Sequence, residues 1–128
     1  MRSASHYFDG ASAPASAVAG ATAKALEIVI REPELRTRLR ENSIQLRAGL
    51  RTLGLNPPEG TTANFGVGAG DAANMRRIHE TLKAREIMVP YVGAYSGIPP
   101  EGVLRFAVFA NHTPDHIDCL LDELRAIV

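Results

Sequence analysis

The sequence predicts an α/β fold of the two-layer α+β kind: a small, mostly antiparallel sheet of about three strands, helices on one face, two helices in front. Two observations lead there. The hydrophobic patterns run helix, helix, strand, helix, strand, strand, helix, and the run Val103–Phe109 is the most strand-like stretch in the chain. The 128 residues also fit one domain, residues 1–128, and leave little room for two.

The first helix is expected from Pro14 to Ile30, where alanine, the best helix former, dominates and Gly20 is the weak point. Ser12 is a candidate cap near its start. Arg31-Glu32-Pro33 breaks it, because a residue before proline is pushed out of helical conformation. A second helix follows from Pro33 to about Leu53, with Leu35, Leu39, Leu46, Leu50 and Leu53 on one stripe. Arg36, Arg38, Arg40, Glu41, Arg47 and Arg51 occupy the remainder, read as a solvated face, and Gly54 is placed to end the helix.

Thr61–Val67 reads as a strand. Asp71 then caps a third helix whose apolar face is Met75, Ile78, His79 and Leu82, with His79 a packed histidine rather than a ligand. Ile87-Met88-Val89 starts the next strand, and Tyr91–Gly102 is a loop rich in glycine and proline. After Val103–Phe109 comes the best punctuated helix. Thr113 caps it, Pro114 suits its first position, Asp115 sits where the dipole favours an anion, and Ile117, Leu120, Leu121, Leu124 and Ile127 form its buried face.

Composition removes several function classes. Fourteen basic and fourteen acidic residues cancel, so there is no nucleic-acid stripe and no basic membrane face. No apolar run reaches the roughly 20 residues of a membrane span. The Ala11–Ala23 stretch lacks the leucine-rich centre of a signal peptide. The single cysteine, Cys119, forms no intrachain disulfide and is read as a small buried hydrophobe beside Leu120 and Leu121. A cytoplasmic protein is expected.

No paired Cys/His metal spacing, nucleophile elbow, Walker loop or dinucleotide fingerprint is present. The glycines of Gly66–Gly70 fit the spacing of no phosphate loop. Arg105 stands apart on physical grounds. Strand alternation puts Leu104, Phe106 and Val108 on one face and Val103, Arg105, Ala107 and Phe109 on the other. A guanidinium among apolar neighbours needs an anionic partner, and its planar fork suits a carboxylate. That carboxylate can belong to a ligand or to one of the chain's own acids; alternation alone does not choose.

The segment Gly102–Asp118, with Arg105 in its strand and His112-Thr113 in its turn, resembles the C-terminal signature of the alpha-oxoamine synthases. Other segments match in the same order. Ile98–Gly102 resembles the Pro-Pro-Gly loop ahead of that strand, and Leu82–Pro90 the segment that ends in Val-Pro. Glu34–Asn42 is similar to the family's long helix, and Tyr7-Phe8 with Ala13-Pro14 to its entry. The resemblance covers nearly the whole chain. It implies the C-terminal small domain of a fold type I, class II aminotransferase-like enzyme, dependent on pyridoxal phosphate, that joins an acyl group to an amino acid or transfers an amino group.

By position, the resemblance implies that Arg105 holds the carboxylate of the amino-acid substrate. Asp9 and Gly10 fall where the family has a Ser/Thr pair that helps bind cofactor phosphate across a homodimer; Asp9 would repel phosphate, while the Gly10 amide remains available. The family's glycine before the third strand is replaced by Glu86. Only Lys24 and Lys83 are present, neither in the Ser-x-x-Lys context of the family's cofactor lysine. The resemblance therefore implies a missing N-terminal major domain that bears the lysine, no catalytic residue in this chain, no cofactor bound to it and no activity alone. The alternative is a stand-alone α/β binding or interaction module without catalysis.

Overall fold

The computed structural model describes residues 15–93 and 97–128. The chain divides into two compact units, Met1–Pro33 and Glu34–Val128. Ser12, the candidate helix cap, and Asp9 and Gly10, which fall where the family has its phosphate-binding pair, lie outside the described residues.

In the first unit, α1 spans Ser16–Arg31 and ends where the Glu32-Pro33 break was expected. Glu27 pairs with Lys24 at 3.1 Å and with Arg31 at 2.7 Å along its surface. Such exposed pairs stabilise a helix by about 0.2–0.5 kcal/mol each. Leu26 and Ile30 are 60% and 76% exposed.

The second unit holds α2 (Pro33–Thr52) from Glu34 onward, β1 (Asn64–Val67), α3 (Ala72–Ala84), β2 (Tyr91–Val92), β3 (Val103–Ala107) and α4 (Pro114–Arg125). The strands form one antiparallel sheet in the order β1-β3-β2. Phe65, Val67, Leu104 and Phe106 point into the core, and the Phe65 and Phe106 rings stack with centroids 5.7 Å apart. Leu46 and Leu50 of α2, Met75, Ile78 and Leu82 of α3, and Ile117, Leu121 and Leu124 of α4 complete that core. The α4 cap is as read: the Thr113 hydroxyl accepts from the His116 amide, and His116 Nδ1 accepts from the Thr113 amide. Asp71 likewise accepts from the Asn74 amide at 2.8 Å.

Four expectations are corrected. The first strand begins at Asn64, not Thr61. The second is Tyr91–Val92, inside the stretch read as loop, and not Ile87–Val89. Pro90 explains part of this: its carbonyl accepts from the Arg105 amide at 2.8 Å, but it has no N–H to return, so the ladder stops there. Cys119 is exposed, because the buried stripe of α4 runs through Ile117, Leu121 and Leu124 and leaves it on the opposite side of the helix. Arg47, assigned to the solvated face, is 2% exposed.

Helices α2 and α3 end in the same motif. Leu55 and Gly54 donate to the carbonyls of Leu50 and Arg51, and Ile87 and Glu86 donate to those of Leu82 and Lys83. Both motifs need a left-handed residue, supplied by Gly54 at φ 78° and by Glu86 at φ 63°. A side chain in that region is strained, and Glu86 has none of glycine's freedom. Glu86→Gly is therefore expected to stabilise the chain by about 0.5–1 kcal/mol, read as a raised urea midpoint at unchanged slope.

Candidate functional site

Arg105 lies at the middle of β3, on the sheet face turned away from the core. Its backbone is held on both edges, since Leu104 and Phe106 pair with β1 while the Arg105 amide bonds to Pro90. The side chain is exposed and lines a cavity of about 770 Å³. Val103, Val92, Ile98 and Pro99 supply apolar walls, and Gly66 and Asn64 come from β1. Arg105 is the one charged residue among those lining it, and among the described residues it makes no ion pair. Its Nε donates to Asn64 Oδ1 at 3.1 Å.

Gly66 faces Arg105 across the β1–β3 ladder. A Cβ at Gly66 would stand 2.8 Å from Val103 Cγ2, so glycine keeps the floor beside the guanidinium flat. The arrangement presents a cation beside apolar walls, with no acid among the described residues lining the cavity. It can hold an anion whose body is partly apolar, and a carboxylate matches the fork best.

Both lysines lie on helix surfaces, away from Arg105 in the sequence. Lys24 is exposed on α1 with its Nζ against Glu27, and Lys83 is exposed on α3. His79 is packed, as read, with its Nδ1 2.9 Å from the Val89 carbonyl. Among the described residues no group of three or more His, Cys, Asp or Glu side chains is placed to hold a metal ion. Asn64 had no signal in the sequence: it is drawn in by strand register, which composition and periodicity do not disclose.

A buried polar layer supports this sheet from behind. Arg47 of α2 donates through Nε to the Pro58 carbonyl at 3.0 Å and through Nη2 to the Thr62 carbonyl and hydroxyl at 2.9 and 3.0 Å. Its Nη1 donates to the Ser43 hydroxyl, and its Cζ lies 3.8 Å from the Phe65 ring centroid. Burial pushes this guanidinium below its usual pKa, Arg51 pushes the same way, and Glu59 partly offsets them. It stays charged at any ordinary pH. Asn42 binds the carbonyls of Phe109 at 3.1 Å and His112 at 2.7 Å. α2 thus fixes both the entry to β1 and the exit from β3, the two strands that carry Asn64 and Arg105.

The sequence model of the family described as aminotransferase class I and II matches residues 1–124. The biotin biosynthesis bifunctional protein BioWF of Corynebacterium kroppenstedtii is 35% identical over 130 residues, which is 99% of this chain and 18% of that protein. An 8-amino-7-oxononanoate synthase of Chromohalobacter salexigens is 36% identical over 107 residues, 84% of this chain and 28% of that one. A solved structure described as SPT with a PLP internal aldimine superposes with a TM-score of 0.74 at 23% identity, over 81% of this chain and 27% of the other. That likeness speaks to the fold. The chain spans less than a third of the length of each.

Proposed function

Because the chain belongs to the aminotransferase class I and II family, within its alpha-oxoamine synthases, we propose that Arg105 receives the carboxylate of an amino-acid substrate. The chain would be the C-terminal part of a larger transferase that joins an acyl group to that amino acid. The observation that carries this reading is the guanidinium of Arg105, set in a cavity without an acidic partner among the described residues.

Pyridoxal phosphate, when bound in an enzyme of this family, supplies an electron sink for chemistry at the amino acid's α-carbon. The exposed, helix-surface positions of Lys24 and Lys83 support a major domain outside this chain as the bearer of the lysine that anchors it. This chain's part is to bind and orient: Arg105 fixes the carboxylate, and Val103, Ile98 and Pro99 exclude water from one side of the substrate. A homodimer in the parent enzyme, with active sites between subunits, belongs to the same proposal; exposed Leu26 and Ile30 on α1 support an apolar contact there.

Arg105→Ala is the test. An empty ligand site costs little to remove, so its urea-unfolding free energy is expected within about ±0.5 kcal/mol of wild type. The binding of L-alanine, followed by NMR, is expected to be lost at the same time. A stability loss of about 3–5 kcal/mol would mean a buried pair had been broken and would return Arg105 to a structural role.

A further inference from the structure

We propose that Asn64 is a positioning residue for Arg105, occupying one guanidinium edge so that a carboxylate is received end-on by the two terminal nitrogens. The inference rests on Arg105 being the carboxylate-binding residue.

Strand register places the pair. Asn64 faces Ala107 and Gly66 faces Arg105, so Asn64 is the diagonal neighbour of Arg105 on the same sheet face. The position directly opposite offers no side chain, and the close approach of Val103 keeps it that way. Asn64 reaches the guanidinium instead, with Oδ1 3.1 Å from Nε.

Arginine carries five N–H donors in a planar fork and can hold a carboxylate bidentately by its Nε–Nη edge or by its Nη1–Nη2 edge. With Nε committed to Asn64, the side-on edge has lost a donor. The Nη1–Nη2 edge retains both. An amide is the fitting chemistry for this task, because it accepts from Nε without neutralising the charge a substrate needs. Aspartate in its place would keep the acceptor and bring a competing anion.

Fixing the side chain beforehand also matters. Ordering a rotamer-rich side chain on binding carries a cost that corresponds to about a two- to tenfold loss of affinity. Asn64 meets that cost before the ligand arrives.

The experiment is an NMR titration of the full chain with sodium acetate against sodium chloride at matched ionic strength, following the Arg105 Nε–Hε signal. In wild type, acetate is expected to saturate while the Nε–Hε signal moves little. In Asn64→Ala, binding is expected to weaken about two- to tenfold and the Nε–Hε signal to shift strongly, as acetate gains the side-on edge. Asn64→Asp is expected to abolish acetate binding while keeping Nε–Hε protected. If Asn64→Ala binds as tightly as wild type with the same Nε–Hε response, the positioning role is overturned and the carboxylate reading of Arg105 stands. If wild type responds to acetate no more than to chloride, both fall together.

Discussion

Arg47→Ala is expected to lower the unfolding free energy by about 3–5 kcal/mol, a large part of the 5–15 kcal/mol that holds an ordinary domain together. The change takes a donor from the Pro58 carbonyl, from the Ser43 and Thr62 hydroxyls and from the Thr62 carbonyl, of which only the last keeps another, the Ser43 hydroxyl at 3.0 Å. Each unsatisfied buried acceptor costs about 1–3 kcal/mol, less where water can enter. Water reaches the exposed rim at Pro58 and Thr62, which keeps the sum below four full penalties. A void also opens against the Phe65 ring. Arg47→Lys separates charge from shape. Lysine restores the cation, but a single ammonium cannot serve Pro58, Thr62 and Ser43 at once or lie flat on Phe65. We therefore expect Arg47→Lys to lose about 2 kcal/mol or more. A lysine variant within about 0.5 kcal/mol of wild type would show that the fork geometry is not what holds the layer. Urea denaturation of the two variants and wild type measures both.

These residues also show where the sequence was legible. The four helices were readable because their signals are local. Proline breaks α1 at Glu32-Pro33, Asp71 and Thr113 cap α3 and α4, and the leucine stripes repeat with helical period. β3 was readable from alternation, which set Arg105 on the face opposite Leu104 and Phe106. Arg47 was not readable, because its burial depends on a distant loop. It flanks the Leu46–Leu50 stripe, and helical period cannot say that the Pro58–Thr62 loop will fold over that flank with its carbonyls turned inward. β2 was misplaced because its extent depends on which Pro90 group meets Arg105, again a matter of pairing. Asn64 belongs with these. Its relation to Arg105 exists only once β1 and β3 are in register. What the sequence withheld was the set of contacts between segments far apart along the chain.

Gly49 tests the same distinction with opposing signs. From propensity alone, Gly49→Ala in the interior of α2 should stabilise the chain by about 0.8–1 kcal/mol. The packing says otherwise. A Cβ at Gly49 would lie 2.2 Å from Leu121 Cδ1 and 2.9 Å from its Cγ. Leu121 is 7% exposed and belongs to the core, so it cannot simply swing into solvent. Overpacking of this kind costs about 1–3 kcal/mol and should outweigh the gain in propensity, so Gly49→Ala is expected to be net destabilising by about 1–2 kcal/mol. Leu121→Ala alone should cost about 2–5 kcal/mol by opening a cavity between α2 and α4. Combined, the two changes relieve each other: the new methyl occupies space that the leucine vacates. The double variant is expected to be more stable than the sum of the singles by about 1–3 kcal/mol, a coupling that urea midpoints of all four chains would report. Simple additivity would mean that α2 and α4 move apart to admit the methyl, and a stabilised Gly49→Ala would mean that Leu121 does not rest on this glycine at all.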